Sequence, residues 1–458
     1  MKGPNMKSQN YITTLAVLIL SIAPLAAGTA LDDYVAAPDP SYGYNVVKTV
    51  PGPGYTAYII EMTSQTWRGK DEVDRTLWKH WLTIIRPNNA TSDTALLWIN
   101  GGSNRSSGPD SPDKMIAGIA MAANAVVADI KQVPNQPLTF PDGGGPRSED
   151  GIIAYTFVKF MSSGDATWPL LLPMAKSAVR AMDTVQKHLS SLDTGALDIK
   201  HFVISGGSKR GWTTWLTAAV DQRVVAIAPA VIDVLNMDEQ MKHHFAAYGF
   251  YSQAISDYDN LDVFENLFSP EAEPLLKTVD PYEYRDRYAN IPKFMINSSG
   301  DQFFLPDSAQ FYFDDLPGEK YIRYVPNTDH GLGGSDAPQS LLSYFKSVLT
   351  KEERPKYAWT VRNDHSIVVE TPSKPSAVKL WQATNPKARD FRLETIGKVW
   401  ESSDLSEQGQ GRYIAKVPAP KKGWTAFFIE LSYPSGSGFL HKFTTEVHVV
   451  PDRLPFAK

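Results

Sequence analysis

The run His201-Phe202-Val203-Ile204-Ser205-Gly206-Gly207-Ser208-Lys209-Arg210-Gly211-Trp212 leaves this chain few folds to choose from. An apolar strand ends in a Gly-rich turn with a central serine. A helical pattern from Trp212 to Val220 follows at once. A serine on so sharp a turn has its hydroxyl pushed out above the sheet, at the N-terminus of the next helix. Flanking glycines are needed where a side chain would clash with the turn. Free helix N–H groups and the helix dipole favour negative charge there, as an acyl-transfer nucleophile requires. In the strict elbow, Gly-x-Ser-x-Gly, the second glycine sits two places after the serine. Here it comes one place later, as Gly211, so a plain Gly-Gly-Ser turn competes with the catalytic reading.

Two later runs weigh against the plain turn. Ile291 to Asn297 is apolar and ends in Ser298-Ser299-Gly300-Asp301-Gln302-Phe303-Phe304. Lys320 to Pro326 ends in Asn327-Thr328-Asp329-His330-Gly331. Both read as buried parallel strands with a polar residue just past the carboxyl end. Ser208, Asp301 and His330 thus follow the serine, acid, histidine order of an α/β-hydrolase. In that order the histidine takes the serine proton, and the carboxylate fixes the imidazole tautomer. Asp307 is the alternative acid. Asp329 is too close to His330 in sequence to orient its ring. A buried strand, Ala95 to Ile99, runs into Asn100-Gly101-Gly102. The backbone there can approach a substrate oxygen closely, so Gly101 and Gly102, with the amide of Lys209, are the candidate oxyanion donors.

From Leu96 to Leu349 strand runs alternate with helical ones, the pattern of a parallel sheet. Tyr55–Met62 and Trp78–Ile85 read as antiparallel strands opening that sheet. Trp168 to Leu189 reads as one periodic helix. An aromatic-rich insertion, about 234–289, is the candidate lid. Tyr248 and Tyr251 within it are candidate substrate contacts. Its paired His243 and His244 lack a third ligand at metal-binding spacing, so neither metal nor cofactor is expected. After Lys351, short alternating strands (Ser366–Glu370, Val378–Trp381, Tyr413–Val417, Thr425–Ser432, Thr444–Val450) suggest a small β-sandwich. The expected architecture is α/β: an α/β-hydrolase-like, mostly parallel sheet with helices on both faces over residues 31–351, an inserted lid, and a β-sandwich domain over 352–458.

Residues 1–30 read as a secretory signal: Lys2 and Lys7, an apolar core from Leu15 to Ala27, then Gly28-Thr29-Ala30 for cleavage. No other run could span a bilayer. The chain has no cysteine, which removes disulfides, thiolate metal sites and a thiol nucleophile. A formal charge of −5 without a basic stripe argues against a nucleic-acid partner. Sequons at Asn104 and Asn297 abut the candidate site, where a glycan would obstruct access. With the third, at Asn89, they read as chance matches, which favours a bacterial periplasmic or secreted setting.

Trp98-Ile99-Asn100-Gly101-Gly102, Val133-Pro134-Asn135-Gln136-Pro137, Glu149-Asp150-Gly151-Ile152-Ile153-Ala154-Tyr155, Ser205 to Trp212, Asp280-Pro281-Tyr282, Gly300 to Phe304 and Pro326 to His330 resemble the PhoPQ-activated pathogenicity-related protein family. The likeness covers most of the chain. It implies an α/β-hydrolase-like fold, export, and a link to bacterial responses under PhoP/PhoQ control, with virulence or host response among them. It implies no particular substrate.

Lys209 and Arg210 admit two roles. Arg210 could fork onto a substrate carboxylate. The preferred role for both is pairing with Glu149 and Asp150, since basic charge at a helix N-terminus needs a local partner. Two functions stay open: an exported serine hydrolase acting on a small-molecule or peptide ester or amide, and a non-catalytic secreted factor on a hydrolase scaffold. Fold alone does not decide between them.

Overall fold

The computed structural model describes residues 28–457. The leader expected over residues 1–30 lies, up to residue 27, outside the described residues. The strands in chain order are β1 (Gly43–Gly52), β2 (Tyr55–Thr66), β3 (Leu77–Pro87), β4 (Thr94–Ile99), β5 (Val127–Ile130), a two-residue hairpin β6 (Leu138–Thr139) and β7 (Pro146–Arg147), then β8 (His201–Gly207), β9 (Val224–Ala230), β10 (Lys293–Ser298) and β11 (Lys320–Val325). Nine of them form one sheet in the order β1-β2-β3-β5-β4-β8-β9-β10-β11. The first three pair antiparallel, as does β3 with β5. From β5 to β11 every pairing is parallel. This is the α/β-hydrolase arrangement.

The parallel strands read as unbroken apolar runs because both faces are covered. Neighbouring residues divide between two cores. Leu97 and Ile204 face α3 (Asp150–Ser163), α4 (Leu171–Ser190) and α5 (Lys209–Val220), which follow α1 (Ala30–Ala36) and α2 (Lys114–Ala123) in the chain. Leu96 and Val203 face α2 and the later helix Ala337–Leu349. β2 and β3 run past the expected Tyr55–Met62 and Trp78–Ile85, and the long helix begins at Leu171 rather than Trp168. After β9 the insertion folds into four short helices, α6 (Met237–Tyr248), α7 (Ser256–Asp259), α8 (Val263–Asn266) and α9 (Glu273–Val279), with 3-10 turns between and beyond them. Helix α10 (Ala337–Leu349) closes the hydrolase body.

Beyond it come β12 (Ala358–Val361), β13 (Ile367–Glu370), β14 (Ala377–Asn385), β15 (Glu401–Asp404), β16 (Arg412–Ala415), β17 (Trp424–Tyr433), β18 (His441–Thr444) and β19 (His448–Val450). They make a three-stranded sheet, β12-β13-β16, and a five-stranded sheet centred on β17. The run Thr444–Val450, expected as one strand, is broken. Thr445 turns its own amide and hydroxyl to the Ile429 backbone, so β18 and β19 pair with different stretches of β17.

β17 is buried along its whole length. Phe427, Ile429 and Leu431 share a core with Ile367 and Val369 of the smaller sheet. Ala426 and Phe428 belong to the hydrolase core, and the Phe428 ring lies 6.4 Å from that of Tyr324 on β11. The Thr444 hydroxyl accepts from the Tyr324 amide at 3.1 Å. The β unit is therefore packed into the hydrolase body along the edge strand β11.

Candidate active site

Ser208 stands between β8 and α5 with φ 59° and ψ −130°. That left-handed backbone is costly for a residue with a side chain. Its hydroxyl makes no capping bond to the helix. The backbone is held by its amide, which donates to Ala230 O at 2.9 Å, and by its carbonyl, which accepts from Trp212 N at 3.0 Å. The glycines explain why the turn can be this tight. A Cβ on Gly206 would lie 2.9 Å from the Arg210 backbone. One on Gly211 would lie 2.7 Å from Ile232 Cγ2 and 3.0 Å from Ala230 O. The late glycine lets α5 sit against the strand ends, and the usual glycine position is filled by Arg210.

The His330 ring directs Nδ1 at both carboxylate oxygens of Asp301, at 3.0 and 2.9 Å. A carboxylate can only accept, so Nδ1–H is the donor in this contact and Nε2 is the ring nitrogen that Asp301 leaves free. Nε2 is buried and, among the described residues, has no hydrogen-bond partner, Ser208 included. Catalytic hydrogen bonds are often long before substrate binds. The Phe303 ring centroid lies 4.2 Å from that of His330. Phe303 N donates to Asp301 at 2.8 Å, and His330 N to Gln302 Oε1 at 3.0 Å. Sequence reasoning gave Gln302 and Phe303 no role, although the motif after Asp301 contains them. Asp329 is turned to Gly331 N.

Asp307 lies elsewhere. It is buried between Arg389 and His243, the ring of the latter 3.0 Å away. Burial opposes its ionisation, but the Arg389 guanidinium and the His243 ring hold its carboxyl well below the ordinary range. His243 thus belongs to a structural cluster. His244 accepts from Ser252 N at 3.1 Å, with burial lowering it to about 3. Among the described residues no group of three His, Asp or Glu is arranged to hold a metal.

The candidate oxyanion loop lies beside the elbow: a Cβ on Gly101 would come 2.5 Å from Arg210 Nη2. Gly101 N donates to Asn100 Oδ1 at 2.9 Å. Gly102 holds φ +132°, a conformation open to glycine. On the helix side, Lys209 N heads α5, where first-turn amides lack intrahelical acceptors.

Lys209 Nζ pairs with Glu149 at 2.8 Å and Asp150 at 2.9 Å. Arg210 grips both oxygens of Glu149 at 2.7 Å, and its Nε donates to Val133 O. The fork that a substrate carboxylate would need is thus engaged inside the protein. Glu149 also binds Gln136 through its amide and its carboxylate. Burial opposes the Glu149 charge, but Arg210 and Lys209 outweigh it and hold the pKa at about 2.

Ser208 lines a narrow apolar cavity of about 50 Å³ under the insertion. Phe303 and Phe304 share its wall, and the insertion contributes Tyr258. Tyr248 and Tyr251 do not line it. The Tyr248 ring packs on His244 and beneath the Arg392 guanidinium, and the Tyr251 ring lies against Phe264. Past Gly207 an open groove of about 630 Å³ runs along Gly101, Gly102, Trp81 and Trp98. Among the described residues no helix is long and apolar enough to cross a membrane.

Comparison with known proteins places the chain as follows. The family model for the PhoPQ-activated pathogenicity-related protein matches residues 31–392. The Autocrine proliferation repressor protein A of Dictyostelium discoideum is 38% identical over 471 residues, spanning 96% of this chain and 94% of its own. Among solved structures, an acetyl xylan esterase from Paenibacillus sp. R4 superposes with a TM-score of 0.47 at 15% identity, over 70% of this chain and 92% of that one. Acetyl Xylan Esterase 1 from Thermoanaerobacterium sp. JW/SL YS485 gives 0.44 at 15%, over 70% and 91%. Likenesses this distant carry no reading of substrate.

Proposed function

The chain belongs to the PhoPQ-activated pathogenicity-related protein family, and on that premise we propose that it is an exported serine hydrolase cleaving an ester or amide bond. The observation that carries the proposal is the His330 ring: its Nδ1 is fixed on Asp301 while its Nε2 is buried with no partner. A ring held in that tautomer is a ready general base. Ser208 supplies the nucleophile from a strained turn. Its Oγ bonds to the substrate carbonyl carbon as Nε2 takes its proton. The oxyanion faces the amides of Lys209 and Gly102. His330 then protonates the leaving alcohol or amine. Water, deprotonated by the same ring, releases the acid and restores Ser208. Glu149 bears on the site indirectly, by holding Lys209 and Arg210 at the head of α5.

A second reading is favoured by one finding. A relative matched along 96% of this chain is named as a proliferation repressor. A secreted regulator could keep the scaffold without turnover. A fluorophosphonate probe decides between them, because it labels only an activated serine. The hydrolase reading expects labelling in the wild type and none in Ser208→Ala, with both melting at the same temperature. Unlabelled wild-type protein would favour the regulator.

A further inference from the structure

We propose that the narrow cavity beside Ser208 seats the acyl group of the substrate and restricts it to short, apolar chains. This rests on the hydrolase reading above. Ser208 lies in the cavity wall, and so does Phe303, which packs on the His330 ring. The space therefore borders the nucleophile and the aromatic ring that packs on His330. Much of the rest is apolar and buried: Trp212 from α5, Met237 and Met241 from α6, Val263 and Phe264 from α8, and Leu267 just after it. Two charged residues, Lys209 and Asp150, reach the wall, but they pair with each other at 2.9 Å. Asp150 also accepts from the Tyr258 hydroxyl at 2.9 Å. A charged or hydroxylated acyl chain would thus lose its water for a wall that is apolar or already paired.

The size sets the length. The room inside it, about 50 Å³, is less than a tenth of the about 630 Å³ of the open groove past Gly207, so a short chain fits and a long one does not. The order of events assigns the acyl half to it. After attack, the Ser208 Oγ–carbon bond has formed and the carbon–oxygen bond to the alcohol has broken. The alcohol leaves with the proton His330 took from Ser208, and water follows it in. The acyl group stays on Ser208 throughout, so it is the half that gains from a narrow, covered seat. The net reaction is ester plus water giving carboxylic acid plus alcohol.

The test uses p-nitrophenyl acetate, butyrate and octanoate, with rates normalised to the fraction of protein a fluorophosphonate labels. A methylene in an apolar pocket discriminates by about 10- to 200-fold. Wild-type kcat/KM is expected to be about 100-fold or more higher for butyrate than for octanoate. Leu267→Ala and Met241→Ala, each enlarging the cavity, should both raise the octanoate-to-acetate ratio by about tenfold or more. Two variants in different helical segments guard against one failing to fold. If labelled wild type prefers octanoate, or neither variant moves the ratio, the acyl assignment is overturned and the hydrolase reading stands. If the wild type is not labelled at all, the hydrolase reading falls and takes this inference with it.

Discussion

The side-chain amide of Asn327, three residues before His330, exchanges two hydrogen bonds with the main chain of Trp400: Nδ2 donates to its carbonyl at 2.9 Å, and Oδ1 accepts from its amide at 3.0 Å. Asn327 holds φ 57°, a left-handed position that asparagine tolerates. The acid loop is tied in the same way, since Gly300 O accepts from Leu393 N at 3.0 Å. The loops bearing Asp301 and His330 are thus fastened to segments that follow Lys351.

This clasp predicts how the two units depend on one another. Asn327→Gly keeps the backbone free to adopt φ 57° but removes both bonds. It should slow fluorophosphonate labelling of Ser208 by about tenfold, since small misplacements of reacting groups cost up to about a hundredfold. Asn327→Asp keeps the acceptor and should fall between. A chain ending at Lys351 should fail to label. Wild-type labelling by that truncated chain would show that the β unit plays no part in positioning.

The two carboxylates after β10 should separate cleanly. Asp301→Asn should lower turnover on the order of ten-thousand-fold, by analogy with loss of the acid from a comparable triad, with little change in melting. Asp307→Asn should do the reverse. It leaves the buried Arg389 without its carboxylate partner, a loss of about 3–5 kcal/mol for a broken buried pair. Turnover and melting curves of both variants check this. A crippled, stable Asp307→Asn protein would move the acid to Asp307.

Acid should weaken the head of α5. Glu149 is held at about 2 against an ordinary 4.5. Its folded-state pKa is depressed, so its contribution is complete above about 4.5 and is lost as pH falls toward about 2. Melting temperature against pH for wild type and Glu149→Gln tests the sign. The variant should be less stable at neutral pH, and the two curves should converge below pH 4. A constant gap down to pH 2 would contradict the linkage.

The export proposal can be sharpened at the mature terminus. Gly28-Thr29-Ala30 suggests cleavage just before Leu31. Thr29, however, caps α1 in a capping box with Asp32, and Asp32 also holds Arg287 at 2.7 Å. Losing such a cap costs about 1 kcal/mol. N-terminal sequencing of exported protein should find a chain that still contains Thr29, as cleavage after Ala26 or Ala27 would leave. A chain beginning at Leu31 would contradict this.

The sequence by itself determined the local parts: the strand–serine–helix of residues 201–220, the polar residues at the ends of β10 and β11, and the glycines of the loop after β4. Each is a pattern of neighbours, where apolar periodicity and turn chemistry act over a few residues. The pairing of Lys209 and Arg210 with Glu149 and Asp150 was also legible, because charge at a helix N-terminus needs a counter-charge. Tertiary structure alone decided the rest. Gly211 is needed because Ile232 and Ala230 cross behind it. Asp301 rather than Asp307 faces His330 because Arg389, 82 residues beyond Asp307, holds the latter away. Tyr258, not Tyr248 or Tyr251, reaches the cavity because of how α6, α7 and α8 pack. The Asn327–Trp400 clasp spans 73 residues. Such contacts depend on which surfaces meet when the sheet closes, and burial of shared apolar area, not any local pattern, chooses them.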